Sequence, residues 1–566
     1  MDNATIFEYI LGGTNPWVRF LLQVSGVLIY TIVLRKYLKI PFMLGGIVSI
    51  FIAAILPLTI TLPIAVVLGV IIVLLKLVFK SIKKTTTKTE QTQTEDSFDF
   101  VADGEQINLT NPYRGIYIQG GAGSGKSVSL VYPILQQAIA KNYSGLCYDF
   151  KSPELSSFLF RQAKRGNCLV KPYLIDFKDA KRSIRVNPLD PNLMHKTAYA
   201  SEYAQTLMYN LSPSNIKRED YWVMEAKSVL TGLIWYLKKN HPQYCTLPHI
   251  ISLLLHSDIP ALVEKISEDF EAAGFVASLR QAIKKDATRQ ISGVISTLQV
   301  NLSKLNTPDV FWILSGNDIN LDLNAHNDPK FLCIGNENTL SQSYAPVISL
   351  IISVALKLMN QPNKHKSVVL IDELPTLYIN KLEQTPATAR SNKVATVLAC
   401  QDFSQLVDRY GRDKAQVILS NMGNQFYGRT VNKDSAEMIC RMFGKADKTF
   451  KSSSKGDNYY QSSIFGNHTN SSNATISESV QERDRVKTSD VMNLSPGEFY
   501  GFIAEGNQNE ILKSKFSVDQ QVDDTPFDFL DTASELDIAL NYSKIIHESI
   551  ELLTPLPMKD ETLIDF

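Results

Sequence analysis

Eight consecutive residues have the composition of a loop that binds phosphate groups. They run Gly120-Gly121-Ala122-Gly123-Ser124-Gly125-Lys126-Ser127 and fit the Walker A pattern G-x-x-x-x-G-K-[ST] at every fixed position. Glycines let the backbone fold tightly, so that successive N–H groups point at an anion. Lys126 then supplies a positive charge to the β- and γ-phosphates, and the Ser127 hydroxyl is a ligand for Mg²⁺. The segment predicts a site for a nucleoside triphosphate with Mg²⁺.

Two adjacent acids follow an apolar run that begins at Ser367. Asp372 and Glu373 stand where a Walker B strand needs them, with Asp372 orienting Mg²⁺ and Glu373 activating the attacking water. Many buried strands end in an acid, so this signal is weak alone. Combined with the phosphate loop, it predicts hydrolysis of the triphosphate.

A polar amide, Gln401, ends the apolar run Val394–Cys400. In additional-strand nucleotidases this position lies between the two phosphate motifs and can sense the γ-phosphate. The alternative is a hydrogen bond from the strand end to nearby backbone. The order of the motifs along the chain favours the sensor.

The phosphate loop requires a strand before it and a helix after it, and the sequence supplies both. Gly115–Gln119 is short, apolar and β-prone, and Ser127–Ala140 has one apolar face at helical spacing, with Pro133 as a candidate kink. Further buried strands are predicted at Gly145–Phe150 and Tyr173–Phe177. Strands that alternate with helices in this way predict an α/β fold, with a parallel sheet covered on both faces.

The pattern changes between residues 198 and 325, where apolar residues recur at helical intervals and strand signals almost vanish. Strand signals resume at Phe331–Ile334, and the last strands are predicted at Asn424–Arg429 and Glu498–Ile503. We therefore expect an all-α domain inserted into the sheet domain. The predicted sheet domain comprises residues 111–197 and 326–516.

The first 80 residues predict a membrane anchor. Apolar segments run over Phe20–Leu34, Phe42–Leu56 and Ile64–Leu75, each shorter than the roughly 20 residues of an ideal span but extended by its flanks. Basic residues cluster after the first segment and after the third, which places both clusters in the cytoplasm. Three crossings follow, and a single hairpin with the first segment at the interface is the alternative. Residues 81–110 are predicted to be a cytosolic linker.

Charge and cysteine usage add little about chemistry. The formal net charge is zero, but an acidic tail (residues 517–566) leaves the rest of the chain net basic, which allows contact with nucleic acid or anionic lipid. The six cysteines are scattered, which favours buried free thiols.

Residues 450–480 are dense in Ser, Asn and Gly and predict a disordered loop. The amphipathic piece of the tail could dock a substrate or adaptor, or lie on the protein's own body.

The ordered motifs resemble those of the coupling ATPases of type IV secretion and conjugation, over Tyr113 to about Phe516. Besides the phosphate loop and the acidic pair, the resemblance rests on five features: Asp149-Phe150-Lys151 with Glu154, Asn187-Pro188-Leu189, the Tyr221-Trp222 helix, Leu374-Pro375 after the acids, and Gln401 to Leu406. Phe150, Ser152 and Leu374 depart from the family's usual residues, which alters loop shape and leaves the phosphate chemistry untouched.

The resemblance implies a RecA-like motor with an inserted all-α domain and an N-terminal transmembrane anchor in the bacterial inner membrane. It implies ATP and Mg²⁺ as cofactors and a homo-hexameric ring, in which Arg390 acts in trans on a neighbouring subunit's nucleotide. Arg390 as an exposed, solvated side chain is the alternative.

The partners that the resemblance implies are single-stranded DNA bound without sequence specificity, relaxase or protein substrates, secretion-channel membrane proteins and inner-membrane lipids. Two other functions stay open from the sequence. One is an ATP-dependent receptor or assembly platform that does not translocate its substrates. The other is a septal-type pump for double-stranded DNA, which would lack the inserted helical domain.

Overall fold

The computed structural model describes residues 95–166, 168–459, 470–505, 512–517 and 525–553. The predicted membrane anchor and the first part of the predicted linker, residues 81–94, lie outside these residues. The described strands are β1 (Phe98–Ala102), β2 (Glu105–Leu109), β3 (Ile116–Gln119), β4 (Ser144–Asp149), β5 (Lys171–Asp176), β6 (Lys330–Gly335), β7 (Ser367–Ile371), β8 (Val394–Cys400), β9 (Asn424–Tyr427), β10 (Lys445–Tyr459), β11 (Asn470–Asp484), β12 (Glu498–Phe502) and β13 (Leu512–Lys515).

The described α-helices are α1 (Tyr132–Ala140), α2 (Glu154–Arg165), α3 (Thr197–Leu211), α4 (Ser214–Lys217), α5 (Tyr221–Asn240), α6 (Leu247–His256), α7 (Ile259–Ile266), α8 (Phe270–Lys284), α9 (Thr288–Leu302), α10 (Pro308–Ser315), α11 (Ser341–Met359), α12 (Thr385–Ala389), α13 (Phe403–Tyr410), α14 (Arg412–Asn421), α15 (Lys433–Phe443), α16 (Thr488–Met492) and α17 (Glu535–Leu553).

A nine-stranded sheet organises the molecule, with the strand order β13-β12-β9-β3-β8-β7-β4-β6-β5. From β9 to β5 all neighbours pair in parallel, whereas β12 pairs antiparallel with both β9 and β13. The parallel strands bring the ends of β3, β7 and β8 to one edge of the sheet. The predicted α/β fold is confirmed, with an antiparallel addition at one side.

Both faces of the sheet are covered, as the apolar strands require. Ile116 and Ile118 of β3 face a core formed with α1, α2 and the β1–β2 hairpin, while Tyr117 faces the opposite core. The second core continues without a break into the helices between β5 and β6. The insertion and the sheet are therefore packed as one body.

Eight α-helices, α3 to α10, occupy the chain between β5 and β6, and this fully described stretch contains no strand. The all-helical character predicted for residues 198–325 agrees with this. Helix α3 packs on α5 and on α11. Among the described helices, only the segment Asn338–Met359, which contains α11, is long and apolar enough to cross a membrane, and 61% of its most apolar window is buried inside the protein.

Two segments differ from the sequence-based predictions. Part of the predicted linker forms the antiparallel β1–β2 hairpin, whose Phe98 and Phe100 are buried. The predicted disordered loop at 450–480 largely forms strands β10 and β11, which pair antiparallel from Lys445 with Asp484 to Tyr459 with Asn470. Paired strands satisfy each other's backbone groups whatever the side-chain composition, and composition alone suggested a loop.

The acidic tail returns to the body of the protein. Phe527 and Phe529 contact Phe160 of α2, with ring centroids 5.5 and 5.0 Å away. Helix α17 then packs on α6 and α10 of the helical insertion. Its Tyr542 hydroxyl donates a hydrogen bond to Asn306 at 3.1 Å, and its Glu548 carboxylate lies 3.1 Å from His249. The amphipathic piece therefore lies on the protein's own body through one face, and Leu536 and Leu540 on its other face are exposed.

Candidate nucleotide-binding site

The phosphate loop stands where its chemistry requires, between buried β3 and a helix. The segment Ser127–Val131 forms a π-helical turn that leads into α1, and Pro133 lies in the first turn of α1. The helix is continuous across this boundary, because the Tyr132 N–H donates to the Ser127 carbonyl, so Pro133 lies next to a π turn and not at a free helix start. The predicted strand–loop–helix context is therefore present, with a π turn in place of the first α-helical residues.

Two glycines give the loop its curvature. Gly123 and Gly125 have φ values of +74° and +85°, in the left-handed region that other residues rarely adopt. A Cβ atom on Gly125 would lie 2.7 Å from the backbone nitrogen of Gly497. The loop is also hydrogen-bonded from outside, because Gly121 N–H donates to the Arg429 carbonyl at 2.8 Å and Gly497 N–H donates to the Ser124 carbonyl at 2.8 Å.

Lys126 lies directly against the acidic pair that follows β7. Its ammonium group donates to the Asp372 carbonyl at 3.1 Å and lies 3.8 Å from Asp372 Oδ1 and 3.6 Å from Glu373 Oε2. All three side chains are buried. The structure thus brings the two phosphate motifs, 246 residues apart in sequence, into direct contact.

Burial raises the pKa of two carboxyl groups near the phosphate loop, those of Glu373 and Asp149. Burial raises the pKa of Glu373, and the neighbouring Lys126 charge partly offsets this. Asp149 ends β4, next to β7, and burial raises the pKa of this carboxyl to about 6 although Ser156 donates two hydrogen bonds to it. A raised pKa brings a carboxylate closer to the range that suits a general base.

Gln401 lies beside Glu373, since its backbone N–H donates to Glu373 Oε1 at 3.3 Å. The next residue, Asp402, caps α13 and accepts hydrogen bonds from Thr430 at 3.1 Å and from Ser435 at 2.7 Å. The end of β8 is therefore held against the segment that follows β9. The role of the Gln401 side chain as a sensor stays a prediction.

Arg390 is the one predicted site residue that the structure does not bring to this pocket. It follows α12, before the start of β8, whereas Gln401 follows the end of that strand. Seven strand residues separate the two positions by about 23 Å. The Arg390 guanidinium is half-exposed and lies 3.4 Å from Glu505. Only an arrangement between subunits could bring it to a nucleotide, so its assignment stays a prediction.

A cavity of about 530 Å³ opens next to the acidic pair. Its lining includes Glu373 and Gln401 together with Phe150, Gln405 and Arg409. Sequence reasoning missed Arg409, since no motif or spacing distinguishes an arginine six residues into a helix. It also missed Gly497, which contacts the phosphate loop from more than 370 positions away.

The residues present fit a magnesium–nucleotide group. Asp372 Oδ1 is buried and has no hydrogen-bond partner, which leaves it available to a cation or its waters. Mg²⁺ in such sites takes one or two protein ligands besides water and phosphate oxygens. Consistent with this, the described residues contain no cluster of three or more His, Cys, Asp or Glu that could hold a metal by itself.

The fold and the site together define an α/β protein of the phosphate-loop class, with an acidic pair facing the loop lysine. The chain belongs to the type IV secretory system conjugative DNA transfer family, whose model matches residues 75–500. The family inferred from the sequence motifs is thereby confirmed.

Solved structures of the bacterial conjugative coupling protein TrwB resemble the chain at low identity. Its unbound form has a TM-score of 0.57 at 17% identity, covering 77% of this chain and 92% of that one. The form in complex with ADP and Mg²⁺ has a TM-score of 0.55 at 16% identity, covering 79% and 93%. The complex with the ATP analogue ADPNP has a TM-score of 0.56 at 15% identity, covering 79% and 94%. No curated protein sequence matches the chain.

Proposed function

We propose that this protein is a membrane-anchored ATPase that couples substrates to a type IV secretion or conjugation channel and powers their transfer by ATP hydrolysis. The observation that carries the proposal is the contact of Lys126 with Asp372 and Glu373 behind a glycine-rich loop. The family membership and the binding of ADP with Mg²⁺ and of ADPNP by TrwB support the choice of ATP and Mg²⁺. The substrates are single-stranded DNA carrying a relaxase, proteins, or both.

The chain's own residues divide the work of hydrolysis. The loop N–H groups that make no hydrogen bond within the protein would bind the β-phosphate, whereas those of Gly121 and Ser124 already donate to the carbonyls of Arg429 and Gly121. Lys126 would shift from the acids toward the phosphates. Ser127 and Asp372 would hold Mg²⁺, and the ion would supply positive charge to the phosphate oxygens. Glu373 accepts a proton from the attacking water, and its buried position keeps competing water away. The Gln401 side chain, at the end of β8, would sense whether a γ-phosphate is present.

Assembly completes the site in this proposal. Arg390 lies too far from its own phosphate loop, so we assign it to the nucleotide of the next subunit in a homo-hexameric ring. Residues 1–80 hold the ring in the bacterial inner membrane, where secretion-channel proteins are its partners. DNA is bound through phosphates without reading of sequence, as basic channels generally do.

The helical insertion separates this proposal from a septal-type pump. Eight helices lie between β5 and β6, where such a pump would lack an inserted domain. The membership in a conjugative DNA transfer family supports the same choice.

Turnover measurements test the proposal against a receptor that binds ATP without translocating. The full chain in detergent is assayed for phosphate release with ATP and Mg²⁺, with and without single-stranded DNA. We expect turnover that DNA stimulates, and its loss in Lys126→Ala but not in Lys433→Ala, a control at an exposed lysine of α15. Tight ATP binding without turnover supports the receptor. If the protein neither binds nucleotide nor self-associates, both the translocating ATPase and the ATP-dependent receptor are refuted.

A further inference from the structure

Asn210, near the end of α3, is a buried amide that makes most of its hydrogen bonds outside its own helix. Its Oδ1 accepts from the Tyr378 backbone N–H at 2.9 Å and from the Ser349 hydroxyl at 3.1 Å. Its Nδ2 donates to the Tyr378 carbonyl at 2.7 Å and to the Thr206 carbonyl at 2.9 Å. The reciprocal pair of bonds with Tyr378 fixes that residue's backbone to α3.

The segment held in this way is the one that follows the acidic pair. Glu373 leads into a 3₁₀ turn, Leu374–Thr376, and the Thr376 hydroxyl donates to the Glu373 carbonyl at 2.7 Å. The same hydroxyl lies 3.0 Å from the Tyr148 hydroxyl at the end of β4. Only four residues therefore lie between Glu373 and Tyr378, whose backbone Asn210 fixes.

Arg409 of α13 joins the same group. Its Nη2 donates to the Thr376 carbonyl at 2.9 Å and to Asn210 Oδ1 at 3.4 Å, while its Nε is buried without a hydrogen-bond partner. Among the described residues, no carboxylate forms a salt bridge with this guanidinium. A partly buried cation whose hydrogen-bond partners are all neutral gains little stability from this placement. Helix α13 begins at Phe403, two residues after Gln401, so Arg409 connects the end of β8 to the segment after Glu373.

We propose that the buried Asn210 and the partly buried Arg409 form a hub that positions the segment after Glu373 and couples the nucleotide state of the site to helix α3 of the insertion. The hub joins four elements: α3, α11 through Ser349, the segment after β7, and α13. If nucleotide binding moves Glu373 or Gln401, the hydrogen bonds of Asn210 and Arg409 transmit this movement to helix α3. This inference rests on the proposed ATPase function, and it assigns both residues a positioning role, since they act through the backbone of Thr376 and Tyr378.

The expected size of the effect follows from geometry. Misplacement of a reacting group by about 1 Å can cost on the order of 100-fold in rate. Loss of the Asn210 amide frees the backbone at Tyr378, so we expect Asn210→Ala to lower kcat about 10- to 100-fold while KM for ATP changes less than about 3-fold. Arg409→Gln removes only the link through α13 and should lower kcat less.

The chain offers a matched control for the substitution at Asn210. Asn301 of α9 donates to the Thr297 carbonyl at 2.8 Å, the same four-residue return bond that Asn210 makes to Thr206, and the structure gives its amide no bond to the nucleotide site. Asn301→Ala should leave kcat within about 2-fold. Asn210→Asp keeps the acceptor oxygen for Tyr378 N–H and Arg409, and should retain more activity than Asn210→Ala.

Hydrogen exchange of the full chain in detergent gives a readout that does not depend on turnover. In the wild type we expect exchange of the 197–211 amides to differ between ADP and ADPNP, and we expect this difference to disappear in Asn210→Ala and shrink in Arg409→Gln. The inference is overturned if the 197–211 exchange follows the nucleotide equally in wild type and both variants. It is also overturned if kcat per folded molecule in both variants equals that of Asn301→Ala. A wild type without turnover would refute the proposed function, whereas the exchange measurement still tests the hub.

Discussion

Replacing Glu373 by Gln should separate nucleotide binding from hydrolysis. The carboxylate oxygen lies 3.6 Å from the Lys126 ammonium, and both groups are buried. At that distance the attraction is about 4–5 kcal/mol for an effective dielectric constant near 20, before the desolvation of either group is subtracted. An incoming triphosphate must weaken this pair and approach the Glu373 charge.

The glutamine variant has neither obstacle, because it is uncharged and keeps the shape of the side chain. We expect its ATP affinity to rise about 10-fold, which corresponds to about 1.4 kcal/mol. Hydrolysis should fall by a factor of about 10² to 10⁴, the range for removal of a general base. Binding is measured with a fluorescent ATP analogue, and turnover is measured by phosphate release from the full chain in detergent.

Glu337→Gln is the matched control. Glu337 follows β6 at the same edge of the sheet, and its carboxylate accepts hydrogen bonds from Thr339 instead of a lysine. Both affinity and turnover should stay within about 2-fold of the wild type. Turnover of Glu373→Gln within about 3-fold of the wild type would refute the assignment of Glu373 as the base, and unchanged affinity would refute the argument from its pairing with Lys126.

Three further outcomes follow from the structure. Gly125→Ala should abolish ATP binding, because its left-handed φ and the 2.7 Å approach of Gly497 exclude a side chain; retained affinity in the binding assay would contradict this. Phe100→Ala should lower the free energy of unfolding by about 3–4 kcal/mol, since the ring packs on Phe516 at 5.8 Å; an unchanged urea midpoint would mean that the hairpin contributes nothing. Asp149 has a pKa raised from 3.8 to about 6, so its stabilising contribution is complete below pH 3.8 and is lost as pH rises through about 6. Relative to Asp149→Asn, the wild type should therefore lose up to about 3 kcal/mol between pH 4 and 7 in urea unfolding, and parallel pH profiles would contradict this.

The sequence predicts which residues come together where the signal is local. The phosphate loop needs only its eight residues and the apolar strand before them, and the acidic pair needs only the run from Ser367. Alternation of strands and helices then fixes the parallel sheet, because parallel strands require crossovers of this length. The change from strand to helical spacing locates the insertion, because helices and strands place apolar residues at different intervals.

Features that depend on distant partners could not be predicted. The β1–β2 hairpin packs Phe100 on Phe516, a contact between residues more than 400 positions apart. Strands β10 and β11 are held by backbone pairing, so their Ser- and Asn-rich composition conceals them. Asn210 belongs to no motif, and only the folded chain shows that its amide binds Tyr378.

The β1–β2 hairpin is joined to β13 beside the phosphate loop. Ala102 bridges to Phe516, Asp103 N–H donates to the Lys515 carbonyl, and Phe516 N–H donates to the carbonyl of Gly497, the residue that abuts Gly125. The family match stops at residue 500, inside β12. A protein truncated at residue 500 would lose β13 and Phe516. It would therefore lose the hydrogen bond from Phe516 to Gly497, the residue that packs against the glycine-rich loop at Gly125. Expression trials should therefore begin before β1 and extend past β13.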